Sequence, residues 1–350
     1  MIQTRSEVAA GEPLLQVLDL KIHFATEHGL ARAVDGVSFR VRKGETVCLV
    51  GESGCGKTVS ALGILGLLPQ PPAQIAGGRI MFKGRDLLGL DQRQLQEYRG
   101  REIAVVFQEP MTSLNPVFTI GQQIEEVITT HETVNAKQAR ERVVQLLTDV
   151  GISSPEDRVH DYPHNLSGGQ RQRVMIAMAL ACGPELIIAD EPTTALDVTV
   201  QAQILHLFGE LQRSRGMAIL QITHDLSVVA GVAHRIYVMY AGIVVEEGSV
   251  VQIFREPCHP YTRGLLESLP GRRKKGQELA TIPGTVPDPA RKPSGCPFHP
   301  RCTYVQDRCR SEFPDMHDFG DHHWARCPVV YEQIQEPTRR PTAGGKPANI

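Results

Sequence analysis

Short apolar runs separated by helical patterns recur along this chain. Alternating apolar and polar positions predict strands over Leu15–Leu20 and Val37–Val41. Thr46–Val50 is apolar without a break and ends at Gly51, the pattern of a strand buried on both faces. A helix is predicted from Lys57 to Leu68, stopped by Pro69. Another buried strand is predicted over Ile103–Phe107. The spacing is then helical to about Tyr162, most clearly over Ile120–Thr129 and Ala136–Val150. Next come a helix over Gly168–Ala181, a strand over Leu186–Ala189, a helix over Val198–Arg213 and a strand over Ala218–Ile222. Strands alternating with helices predict an α/β core around a parallel sheet. After Pro257 the texture changes: prolines become frequent, as in Ile282–Pro289, and cysteines gather. The expected division is a core over 14–256, an extension over 257–335, and a disordered tail over 336–350.

Composition sets limits on this picture. The chain has 350 residues, 41% hydrophobic and 22% charged, with a net charge of −2. Nucleic-acid binding usually leaves a basic footprint, so no nucleic-acid partner is expected. The basic run Arg272–Lys275 reads as a solvated linker. No apolar stretch approaches the roughly 20 residues of a membrane span, and Met1–Ala10 lacks the apolar core of a signal peptide. The expected location is therefore the cytosol, where the eight cysteines are not expected to form structural disulfides. Cys48, Cys55, Cys182 and Cys258 are scattered, whereas Cys296, Cys302, Cys309 and Cys327 cluster.

Between a predicted strand and a predicted helix lies Gly51-Glu52-Ser53-Gly54-Cys55-Gly56-Lys57-Thr58, which fits G-x-x-x-x-G-K-[ST]. Glycines let backbone N–H groups turn inward around phosphates, and the helix N-terminus adds its positive dipole end. Lys57 supplies a point charge, and the Thr58 hydroxyl is suited to Mg²⁺. A second apolar strand delivers Asp190 and Glu191 at its end. Asp190 is the expected Mg²⁺ partner, and Glu191 is placed to polarise an attacking water.

Leu166-Ser167-Gly168-Gly169-Gln170 resembles the signature of ABC ATPases, and other elements of that family follow in order. Gln108 resembles the glutamine of its Q-loop, a further expected Mg²⁺ contact. Ala195-Leu196-Asp197 resembles its D-loop, His224 its switch histidine, and Phe24 the aromatic that stacks on adenine. The resemblance implies a P-loop, RecA-like core, with an antiparallel β subdomain and an α-helical subdomain at about 109–167. It also implies that ATP is sandwiched between the phosphate loop of one subunit and the signature of another, with Ser167 and Gly169 donating to the γ-phosphate. Cys55 departs from the family, where serine is common; its backbone N–H still serves phosphate.

His259–Gly271, Gln108–Pro116, Asp190–Val200 and the cysteine tail narrow the resemblance to ATP-binding subunits of dipeptide and oligopeptide permeases. The nearest likeness is to dipeptide subunits with a cysteine-bearing C-terminus. The implied protein is an ATPase at the cytoplasmic face of the inner membrane. Its implied partners are a second ATPase chain, expected to be different, two transmembrane permease subunits and, indirectly, an extracytoplasmic peptide-binding protein. Nickel chelates, glutathione, opines and antimicrobial peptides are alternative cargoes, and a soluble non-transport ABC ATPase is the other class of reading. Four thiols in a Pro-rich segment suit zinc or an iron–sulfur cluster. The resemblance favours [4Fe–4S], while His299, His322 and His323 keep Zn²⁺ as the alternative.

Overall fold

The computed structural model describes residues 11–27, 29–194, 196–269 and 281–335. Arg272–Lys275, Ala195 and the expected tail lie outside the described residues. In chain order the elements are β1 (Leu15–Thr26), β2 (Gly29–Val41), β3 (Thr46–Val50), α1 (Lys57–Ile64), β4 (Ala73–Phe82), β5 (Arg85–Asp86), α2 (Gln92–Tyr98), β6 (Ile103–Val106), α3 (Pro110–Ser113), α4 (Ile120–His131), α5 (Ala136–Asp149) and α6 (Pro155–Arg158). There follow α7 (Gly168–Leu180), β7 (Leu186–Asp190), α8 (Val198–Arg215), β8 (Ala218–Thr223), α9 (Leu226–Val232), β9 (Arg235–Tyr240), β10 (Ile243–Ser249), α10 (Val250–Arg255), α11 (Pro260–Glu267), α12 (Arg308–Ser311), β11 (His317–Asp318), β12 (Trp324–Ala325) and α13 (Pro328–Gln335).

Two sheets carry the fold. An antiparallel sheet has the order β2-β1-β4-β5. A larger one runs β11-β12-β10-β9-β3-β8-β7-β6, with β9, β3, β8, β7 and β6 parallel to one another. Side chains alternate across the parallel strands because a strand has period two. Thus Val47 and Leu49 of β3 face the cluster shared with the antiparallel sheet, while Cys48 and Val50 face the cluster under α9–α11. Leu186 and Ile188 of β7 likewise face the first cluster, and Ile187 and Ala189 face the helical cluster of α4, α5, α7 and α8. Burial on both faces explains why these strands read as unbroken apolar runs.

Helix α1 ends at Ile64 rather than at Leu68, because Gly66 takes a left-handed φ of 60° and stops it before Pro69. The strands β4, β9 and β10 were not among the sequence expectations.

The change of texture at residue 257 is not a gap in packing. β12 pairs antiparallel with β10, so the large sheet extends into the C-terminal residues. Glu246, fully buried on β10, accepts from the Cys258 and His259 N–H groups at 2.7 and 2.9 Å. His323 Nε2 lies 2.8 Å from the same carboxylate, and its Nδ1 lies 3.7 Å from Cys258 Sγ. Every member of this buried group has partners, which is what keeps a buried charge tolerable. Phe298 is 3% exposed and meets Tyr240, Tyr261 and His259 with ring centroids 5.2, 5.4 and 5.7 Å away.

Truncating that ring leaves a cavity where the C-terminal residues join the sheet. Phe298→Ala is expected to lower unfolding stability by about 3–5 kcal/mol and to expose residues 281–335 to protease first. Denaturant unfolding with limited proteolysis checks both, and a change below about 1 kcal/mol would contradict the anchoring role.

Candidate functional site

Parallel strands release their chains at one edge, and the candidate site forms there. β3 ends into Gly51, β7 into Glu191, β8 into His224 and β6 toward Gln108. All four residues line a single cavity of about 600 Å³, together with Glu52, Ser53, Gly54, Gly56, Lys57 and Thr58.

The loop after β3 can form only with glycine at two points. A Cβ on Gly51 would lie 2.2 Å from the Met239 carbonyl oxygen, and one on Gly56 would lie 2.5 Å from that of Ala33. Both glycines also have positive φ, 153° and 100°. Lys57 is buried, and its ammonium donates to the Gly51 and Glu52 carbonyls at 2.8 and 3.0 Å. The loop is thus drawn around its own cation. Cys55 points away from the cavity into the first core cluster, fully buried. Burial raises its thiol pKa, an effect that Lys57 only partly offsets. A buried, protonated thiol is a poor nucleophile, so Cys55 acts as a small packing residue here.

Thr58 Oγ1 donates to Asp190 Oδ1 at 3.0 Å, which joins the two acid-and-hydroxyl elements at the base of the loop. Burial raises the Asp190 pKa; the Thr58 hydrogen bond opposes this and the neighbouring Glu191 charge adds to it. Glu191 is held in the left-handed region at φ 44°, an uncommon conformation for a non-glycine residue. Its carboxylate accepts from Gln108 Nε2 at 3.2 Å and Thr194 Oγ1 at 3.0 Å, and His224 Nδ1 lies at 3.1 Å. The three loops leaving β6, β7 and β8 therefore converge on one carboxylate.

The remaining expected residues lie elsewhere. Leu166, Ser167, Gly168, Gly169 and Gln170 do not line the cavity: Ser167 caps α7, Gly168, Gly169 and Gln170 open it, and Leu166 precedes the cap. Ser167 and Gln170 make a capping box, and Gly169 is pressed against α8, where a Cβ would lie 2.6 Å from Val200 Cγ1. Asp197 caps α8 by accepting from the Val200 N–H at 2.9 Å. Phe24 is not brought to the cavity: its ring packs against the first core cluster. The apolar side chains on the cavity wall are instead Ala33, Val59 and Leu265. Ala33 and Leu265 went unnoticed in the sequence, where no pattern marks an isolated small or aliphatic residue as a wall.

A second cavity, of about 210 Å³, is lined by all four clustered cysteines, with His259, Phe298 and His299 among its other walls. Burial, with neighbouring thiolates adding to it, pushes Cys296 and Cys327 up to about 11. Cys302 is raised for the same first cause.

Comparison with known proteins places these features in context. Residues 34–194 match the family described as ABC transporter, and residues 245–309 match the C-terminal region of oligopeptide/dipeptide transporters. The chain is 51% identical over 315 residues to the probable peptide ABC transporter ATP-binding protein y4tR of Sinorhizobium fredii, covering 90% of this chain and 94% of that protein. It is 48% identical over 325 residues to the dipeptide transport ATP-binding protein DppD of Escherichia coli, covering 93% and 99%. Among solved structures, the dimeric post-hydrolysis state of the ATP-binding cassette MJ0796 bound to ADP and Pi superposes with a TM-score of 0.61 at 27% identity, over 67% of this chain and 98% of that one.

Replacing Glu191 by Gln keeps the size and the acceptor for Gln108 and Thr194 but removes the carboxylate charge. ATP turnover is expected to fall by about 10²-fold or more, with ATP still bound. Phosphate release and equilibrium binding measure the two; turnover within a few-fold of wild type would rule out the base role.

Proposed function

The chain belongs to the ABC transporter family of ATPases, and from that membership we propose that it is the ATP-hydrolysing subunit of an importer of short peptides. The observation that carries the ATPase reading is the convergence of Gly51–Thr58, Gln108, Glu191 and His224 on one cavity. The peptide cargo draws its support from the C-terminal match over residues 245–309 and from relatives named for dipeptide and oligopeptide transport.

The phosphates of ATP would lie in the loop from Gly51 to Thr58, whose inward N–H groups and Lys57 complement their charge. Thr58, Gln108 and Asp190 would hold Mg²⁺, which neutralises phosphate charge when bound. Glu191 would take a proton from the attacking water as its oxygen bonds to the γ-phosphorus. The bond to the β-phosphate oxygen breaks, leaving ADP and phosphate. His224 and Gln108 hold the Glu191 carboxylate in place and would report the state of the γ-phosphate to their loops.

The signature residues stand away from the cavity, so the nucleotide would need the Ser167–Gly169 edge of a second ATPase subunit, expected to be a different chain. Among the described residues, no helix is long and apolar enough to cross a membrane. Transport would therefore run through two membrane permease subunits that receive the helical region at about 109–167, with the chain peripheral at the cytoplasmic face. Phe107, Met111, Val117 and Phe118 are large apolar residues exposed around the start of that region, a surface suited to such a partner. Proteoliposomes holding this chain, its partner ATPase and the permease pair should accumulate labelled dipeptide with ATP and a binding protein. ATP-driven uptake of another solute with no peptide uptake would replace the cargo.

For the cysteines we propose a [4Fe–4S] cluster of structural role. Its support is the shared cavity and the spacing of the thiols. Among the described residues, the one group of three metal-capable side chains with ligand atoms all within 4.8 Å of one another is Glu246, Cys258 and His323, so no three of the four cysteine sulfurs are that close. Tetrahedral zinc, at about 2.3 Å from each sulfur, holds them about 3.8 Å apart; a multi-iron cluster holds its thiolates more widely. Anaerobically purified protein is expected to be brown, with about four iron and four sulfide per chain. Stoichiometric zinc without iron would overturn this assignment.

A further inference from the structure

Glu52 is an electrostatic oddity: a carboxylate on a loop shaped to receive polyphosphate. Unpaired, it would repel the ligand that the loop attracts, across a partly desolvated site where screening is weak. The structure supplies its counter-charge from 249 residues away in sequence. Arg301, immediately before Cys302, has a side chain only 4% exposed. Its Nη1 donates to Glu52 Oε2 at 2.7 Å and its Nη2 to Oε1 at 3.0 Å, a two-pronged pair. Its Nε donates to the Pro283 carbonyl at 2.7 Å, and Nη2 also reaches that of Ile282 at 3.3 Å. The guanidinium lies 5.8 Å from the Tyr240 ring centroid. A second contact comes from the same C-terminal residues: the Glu52 N–H donates to the Tyr261 hydroxyl at 2.9 Å. The outer face of the phosphate loop is thus gripped at both the main chain and the side chain of one residue, by groups that the ATPase core does not contain.

We propose that Arg301 is a positioning residue for the nucleotide site, acting through Glu52: it cancels the carboxylate charge and fixes the loop's outer face, so that ATP affinity depends on the cysteine-bearing segment being docked. The inference rests on the phosphate-loop reading above. It gives the C-terminal residues a part in the ATPase cycle that no catalytic group of theirs supplies.

The test uses the full chain with Mg-ATP. Arg301→Gln keeps a donor for the Pro283 carbonyl but removes the charge. It is expected to raise the dissociation constant and KM about fivefold, with kcat within about twofold. Adding Glu52→Gln to that variant removes the stranded carboxylate and is expected to bring KM back to within about twofold of wild type. A general packing defect would not be reversed by a second substitution, so a double variant as weak as Arg301→Gln alone would overturn the proposal. So would wild-type KM in the single variant. If Arg301→Gln does not fold, Arg301→Lys carries the test: the charge remains, KM should stay within about twofold, and a fivefold rise would overturn the charge role. Lys57→Ala serves as the control. Wild-type affinity there would mark failure of the phosphate-loop reading and of this one with it. A weakened Lys57→Ala beside an unshifted Arg301→Gln would overturn the Arg301 role alone.

Discussion

Parallel pairing of β3, β8, β7 and β6 is the constraint on which the site depends. Antiparallel neighbours would send successive loops to opposite edges; parallel ones deliver the phosphate loop, Glu191, His224 and Gln108 to the same edge. The register does the fine placement. Val50 lies opposite Thr223, and Asp190 opposite Ile222, so the residues that follow each strand emerge at nearly the same height. Parallel sheets need cover on both faces. The antiparallel sheet and α1 supply one side; the helical cluster and α9–α11 supply the other. These three hydrophobic clusters, which flank the parallel strands, are therefore consequences of the demand that the four loops meet.

That demand explains what could be read in advance. Strands β3, β6, β7 and β8 are short, mostly apolar runs, and their ends could be placed to within a residue or two. The phosphate loop was legible because glycine at 51 and 56 is sterically required, as the neighbouring Met239 and Ala33 carbonyls confirm. β4 was hidden for the opposite reason: Gly77, Gly78 and Arg79 interrupt it, and only Ala73, Ile80 and Phe82 are buried. The convergence of Gln108, Thr194 and His224 on Glu191 is a product of loop geometry that no spacing rule encodes. The family resemblance named Gln108 and His224, but the contact to Thr194 and the left-handed backbone of Glu191 needed coordinates. Phe24 stands near the end of β1, partly buried, with its ring packed against the first core cluster.

The C-terminal residues belong physically to the ATPase body. The composition changes near residue 257, and the buried Glu246 carboxylate, the aromatic group around Phe298 and the β10–β12 pairing all cross that point. The cysteine cavity lies at the edge of the larger sheet, with α11 as a shared wall: Pro260, at its start, lines the cysteine cavity and Leu265 lines the cavity at the phosphate loop.

Lys57 has a thermodynamic consequence of its own. With its ammonium bonded to the Gly51 and Glu52 carbonyls, the loop is closed around a positive charge. Nucleotide entry then exchanges existing hydrogen bonds for new ones instead of creating them from a hydrated side chain. Order already built into the loop is order that a floppy glycine-rich turn would have to acquire anew with each ligand.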